Sequence, residues 1–114
     1  MRISGVVIKG LGLGYKTANL RVANRTELNN LADGVYLAKV FHQDKEYPAL
    51  AIIGIQPDLE VFLLDFDGDL YNQILEVEIL EKMREIIRFD NKKELVKQIE
   101  EDVEKAKKYF DITN

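Results

Sequence analysis

Residues 34–55 read GVYLAKVFHQDKEYPALAIIGI, and this stretch decides the fold. Gly34 to His42 and Tyr47 to Ile55 are rich in β-branched and aromatic side chains, and the polar run Gln43-Asp44-Lys45-Glu46 separates them. Two such runs around a short polar break read as an antiparallel strand pair.

The same signature repeats on both sides. Ser4 to Lys9 carries Val6, Val7 and Ile8; Ala18 to Ala23 follows a glycine-rich stretch; Leu59 to Phe66 is apolar except for Glu60 and Asp65. Asp67-Gly68 reads as a hairpin turn, because both residues tolerate positive φ. In Tyr71 to Lys82, Leu75, Val77 and Ile79 alternate with Glu76 and Glu78, the period of a half-buried strand. About six short, regularly spaced strands predict an antiparallel barrel.

The last segment changes period. Leu95, Ile99, Val103, Ala106 and Phe110 recur at spacings of four and three, which predicts one helix over 91–110 packed on the barrel. Asn91 is its expected N-cap, with Glu94 completing a capping box. Glu101 with Lys105, and Glu104 with Lys108, are i,i+4 pairs on the wet face.

A chain of 114 residues supports one domain over 1–114 with one core. Without cysteine there is no disulfide and no thiolate chemistry. A net charge of -4 gives no general attraction to nucleic acid or to an anionic membrane, so any phosphate site must be local. The N-terminus lacks the pattern of a secretory signal and no apolar stretch reaches membrane-spanning length, so the expectation is a cytoplasmic protein, monomeric and binding neither nucleic acid nor membrane. Asn24-Arg25-Thr26 fits a glycosylation triplet, which is without meaning in the cytoplasm.

Two places could carry chemistry. In Gly10-Leu11-Gly12-Leu13-Gly14-Tyr15-Lys16-Thr17, three glycines let backbone amides approach a phosphate and Lys16 could add a charge. It is neither a dinucleotide fingerprint nor a P-loop, because its glycine spacing fails the first and Tyr15 interrupts the second. Read alone, it is equally a tight connection. The second place is Glu60, which shares a strand face with Phe62, Leu64 and Phe66. It is either a solvated strand-end glutamate or a carboxylate in a pocket suited to accept a proton. Asp65, Asp67 and Asp69 read as turn chemistry rather than a calcium loop, and His42, the single histidine, has no second ligand of its kind.

The order of these pieces resembles the bacterial and eukaryotic riboflavin kinase family, the kinase domain of the bifunctional riboflavin kinase/FAD synthetases. The resemblance rests on Gly5-Val6-Val7 with the glycine-rich loop, Thr17-Ala18-Asn19-Leu20, Gly34-Val35-Tyr36, and Gly54 with Pro57. It continues in the run from Glu60 to Tyr71, in Met83-Arg84 and Arg88-Phe89, and in Leu95, Gln98-Ile99, Asp102 and Ala106. Lys16 stands where the family signature has proline, Phe62 where it has histidine, and Ile86 where it has an acid.

The resemblance implies a mainly β fold, a six-stranded antiparallel Greek-key barrel with one long C-terminal helix. It implies a stand-alone enzyme that moves the γ-phosphoryl group of ATP to the ribityl 5'-hydroxyl of riboflavin, giving FMN and ADP. Thr17 and Asn19 would hold Mg2+ with the ATP phosphates, Gly10, Gly12, Gly14 and Lys16 would line the nucleotide side, and Glu60 would be the base. Arg84 would lie in a loop that closes over the flavin. The alternative reading is a barrel that keeps the fold and binds flavin or nucleotide without kinase activity.

Overall fold

The computed structural model describes residues 2–8, 17–54, 59–64, 66 and 68–111. Six antiparallel strands form a closed barrel in the order β1-β2-β5-β4-β3-β6. They are β1 (Arg2–Ile8), β2 (Thr17–Val22), β3 (Gly34–His42), β4 (Lys45–Ile53), β5 (Leu59–Leu63) and β6 (Ile74–Arg84). A short helix α1 (Arg25–Asn29) links β2 to β3, and the long helix α2 (Lys92–Tyr109) follows β6. The mainly β Greek-key barrel with a C-terminal helix is the expected fold.

Strand periodicity sorts the side chains. Ile3 and Val7 of β1, Leu20 and Val22 of β2, Val40 of β3, Ala49 and Ala51 of β4, Val61 of β5, and Leu75 and Val77 of β6 point inward and fill the barrel. The interior is therefore a packed core with no room for a substrate. Val35 and Leu37 of β3, Leu50 of β4 and Leu64 face outward and form a second apolar cluster with Ala106 of α2. Val103 and Phe110 join it from the helix, so α2 covers one flank of the barrel. Asn91 caps α2 as expected, its side chain accepting from the Glu94 backbone N–H at 2.9 Å.

The β3–β4 hairpin turns on Gln43 and Asp44 alone, at φ 49° and 65°, so β4 begins at Lys45 rather than Tyr47. Positive φ at both central residues matches the twist of the flanking strands.

Other local expectations gave way to tertiary structure. β5 and β6 are not partners: two strands lie between them whichever way round the barrel is followed. The expected hairpin at Asp67-Gly68 is instead part of a crossing connection over one barrel end, and Asp67 itself lies outside the described residues. The connection is tied to β1 by Asn72 N–H donating to Val7 O at 3.0 Å and Val7 N–H donating to Gln73 O at 2.9 Å. Leu70 and Phe66 pack against the barrel core from it, Phe66 edge-on to Tyr47 with ring centroids 5.1 Å apart. Phe66 thus does not share the face of Glu60, because β5 ends at Leu63. Asp69 accepts from the Tyr71 backbone N–H at 2.9 Å, which is turn chemistry, as expected.

The glycosylation-like triplet belongs to the start of α1, where the Asn24 side chain accepts from Thr26 N–H at 3.0 Å. Leu28 of α1 is buried against the barrel core. In β6, a register irregularity opposite Leu37/Ala38 breaks the alternation after Ile79. Ile79 packs inward, while Leu80 and Met83 both reach the helix-covered cluster.

Candidate functional site

β2 and β5 are neighbours, and their register sets Asn19 directly opposite Glu60. Residues opposed in an antiparallel pair project to the same side, with Cβ atoms about 5 Å apart. Leu20 and Val61, their chain neighbours, are buried in the core, so Asn19 and Glu60 project from the outer wall. Thr17 lies in register with Phe62, two residues along β2 from Asn19. The two strands thus gather positions 17, 19 and 60 side by side on adjacent strands, not across the barrel's interior.

The pairing continues round the barrel. Ile8 of β1 lies opposite Asn19, Ile52 of β4 opposite Glu60, Val35 of β3 opposite Ile52, and Arg84 of β6 opposite Val35. Glu60 is half-buried between the amide of Asn19 and the apolar surface of Ile52. Arg84 is three strand spacings from Glu60, about 14 Å along the curved sheet.

Asn19 carries the clearest polar signal. Its Oδ1 is buried and has no hydrogen-bond partner among the described residues. A buried carbonyl oxygen left unpaired costs about 1–3 kcal/mol. Its chemistry, a neutral hard oxygen beside a carboxylate, is that favoured by a hard divalent cation. The residues present therefore fit the Mg2+ that the sequence led us to expect, with Asn19 Oδ1 as the described donor.

A cavity of about 420 Å3 opens where β4 ends. Gly54, the segment Ile86 to Lys92, and Leu95 on the first turn of α2 line it. Its lining is mixed: Ile86, Ile87, Phe89 and Leu95 are apolar, and Arg88, Asp90, Asn91 and Lys92 are polar or charged. The volume lies within the range of small-molecule pockets, about 300–1,000 Å3. Gly54 is two residues beyond Ile52, the β4 partner of Glu60, which sets the carboxylate about 7 Å along the strand from the cavity wall. Gly54 sits at φ 110°, and a Cβ there would run into the Asp33 side chain, so a side chain would disturb the wall as well as the backbone.

Arg84 differs from expectation. It is the last residue of β6, not part of the following loop. Its Nε donates to Asp102 Oδ1 at 2.9 Å and its Nη2 to Asp102 Oδ2 at 2.6 Å, while Nη1 donates to the backbone carbonyl of Glu85 at 2.8 Å. Gln98 Nε2 also donates to Asp102 Oδ1, at 3.1 Å. Asp102 is 2% exposed on α2, a buried acid that the apolar stripe of the helix did not reveal. The signal available was position: Asp102 falls one residue before Val103 and four after Gln98, on the edge of the buried face. Gly10, Gly12, Gly14 and Lys16 lie outside the described residues.

Comparison with known proteins gives the family. The family model described as riboflavin kinase matches residues 1–110. A bifunctional riboflavin kinase/FMN adenylyltransferase from Buchnera aphidicola is 38% identical over 124 aligned positions, covering 96% of this chain and 39% of that protein. A Bacillus subtilis protein named RNA-binding riboflavin kinase RibR is 39% identical, covering 96% of this chain and 51% of the relative. A solved structure from Streptococcus pneumoniae, described as a macrolide-efflux protein, superimposes with a TM-score of 0.80 at 34% identity, covering 93% of this chain and 36% of that one. The chain thus spans about two-fifths of the first of these curated relatives and about half of the second. The match over residues 1–110, on a closed six-stranded barrel, places this chain in the riboflavin kinase family.

Proposed function

We propose that this chain transfers the γ-phosphoryl group of ATP to the ribityl 5'-hydroxyl of riboflavin, giving FMN and ADP. The observation that carries the reading is the direct opposition of Asn19 and Glu60 on the outer wall, with a buried Asn19 oxygen that has no partner among the described residues and a cavity just beyond. Phosphoryl transfer needs a positioned hydroxyl, an acceptor for its proton and charge neutralisation at the phosphates.

In this reading the ring system of riboflavin occupies the cavity and the ribityl chain runs along the wall towards Glu60. The Glu60 carboxylate accepts the proton of the terminal hydroxyl. That oxygen forms the new bond to the γ-phosphorus, the bond from the γ-phosphorus to the bridging oxygen breaks, and ADP leaves with the electron pair. Bound Mg2+ would supply positive charge against the phosphate oxygens. Asn19 Oδ1 and Thr17 are the residues proposed to hold it, with Gly10, Gly12, Gly14 and Lys16 on the nucleotide side. Arg84 serves the flavin side of the site.

The test is formation of FMN from riboflavin, ATP and magnesium. Glu60→Gln is expected to lower kcat by about 10²–10⁴-fold, the usual contribution of a general base, with an unchanged unfolding midpoint. Full activity in that variant removes Glu60 from the chemistry. Riboflavin fluorescence quenched by the wild-type protein without product would mark a binding module that lacks kinase activity.

A further inference from the structure

The bridge between Arg84 and Asp102 joins the last strand of the barrel to the long helix. Arg84 ends β6 and Asp102 lies in the third turn of α2. Between them runs the segment that walls the cavity, Ile86 to Asn91. Its two ends are pinned. At the start, Arg84 Nη1 holds the Glu85 carbonyl at 2.8 Å. At the end, Asn91 caps α2. Ile86, between these anchors, tucks into the apolar cluster under the helix.

All three guanidinium nitrogens of Arg84 are thus already donating within the protein, two of them in a fork that matches both oxygens of Asp102. The fork is shielded: the Arg84 side chain is 19% exposed and that of Asp102 4%. A guanidinium so engaged is a poor candidate for the primary contact with a ligand. It is well placed to set the spacing between barrel and helix, and with it the width of the cavity.

We infer that Arg84 is a positioning residue acting through Asp102, with Gln98 orienting the acid, and that this strut holds the cavity wall in the conformation that admits the flavin ring. The inference rests on the proposed function for the identity of the ligand, but the strut itself does not. Arginine is required rather than lysine, because one ammonium cannot fill both carboxylate oxygens and the Glu85 carbonyl in the same geometry.

Three variants test it: Arg84→Lys, Asp102→Asn and the double variant. Asp102→Asn keeps the shape of the acid and serves where a truncation would fail to fold. Steady-state kinetics should show the riboflavin KM raised about tenfold in each single variant, as expected if the wall keeps its competent form about a tenth of the time. The KM for ATP and kcat should stay within about twofold, a split that general loss of fold would not produce. The double variant should be no worse than either single one, because residues acting as one unit are not additive.

Hydrogen exchange without ligand gives a second readout. Amides of residues 85–91 should exchange faster in Asp102→Asn while those of β1 and β2 do not change. This measurement stands even if the wild-type protein makes no FMN, so failure of the strut and failure of the proposed reaction are told apart. A raised KM in Arg84→Lys with a normal KM in Asp102→Asn would overturn the inference, because Arg84 would then touch the flavin directly. So would unchanged exchange over 85–91.

Discussion

Replacing Asn19 with leucine should make the ligand-free protein more stable and the nucleotide-bound protein less so. The two side chains have similar shape and both branch at Cγ, so the outer wall of β2 need not rearrange. What disappears is the buried Oδ1, which has no partner among the described residues. Its desolvation costs about 1–3 kcal/mol, and losing the rest of the amide's interactions offsets part of that. A net gain of about 1 kcal/mol is expected, or about 4 °C in the unfolding midpoint for a domain of this size. Magnesium with ADP at about one hundred times its Kd adds about 2.7 kcal/mol to a protein that binds it. The wild-type chain should show that increment and Asn19→Leu should not. The order of stabilities therefore reverses on adding ligand, from a lead of about 1 kcal/mol for the variant to a deficit of about 2 kcal/mol. Urea unfolding with and without magnesium and ADP reads both numbers. If the leucine variant is less stable without ligand, the unpaired oxygen is not a stored cost. If both proteins gain equally from the ligand, Asn19 does not hold the metal.

Gly54→Ala should cost about 2–4 kcal/mol, from backbone strain at positive φ and from the collision with Asp33. Adding Asp33→Gly should recover the steric part and leave the strain, so the pair should be less destabilised than the single variant in thermal melts. Lys82 is held above its ordinary pKa, chiefly by the hydrogen bond to Glu85 and with a smaller contribution from the charge on that same group. A raised pKa means that this contribution is present below the unfolded value and lost as pH rises through the folded one. The small gap in melting temperature between wild type and Glu85→Gln should therefore hold from pH 6 to 9 and close only as the pH rises beyond the ordinary lysine value of about 10.4.

The sequence was enough for the six strands and the long helix, whereas the short helix α1 was not read from it. Alternation in Leu75 to Ile79 and the four-and-three spacing from Leu95 to Phe110 are local consequences of strand and helix geometry; the first appears in the structure as an inward-facing row, and Val103, Ala106 and Phe110 of the second pack on the barrel while Leu95 lines the cavity. The Asn91 cap was legible for the same reason, since its hydrogen bond spans three residues.

What only the tertiary structure decided is which elements meet. No local pattern reveals that β5 pairs with β2 and β4 rather than β6, because closing a barrel satisfies strand edges that lie far apart in sequence. That choice puts Asn19 beside Glu60 and, through the strand stagger, Arg84 about 14 Å round the sheet. Asp102 entered only through the family resemblance, and its burial was not legible in the sequence. A charged residue on a helix is normally solvated, and it becomes a buried partner only because the end of β6 brings a guanidinium to it.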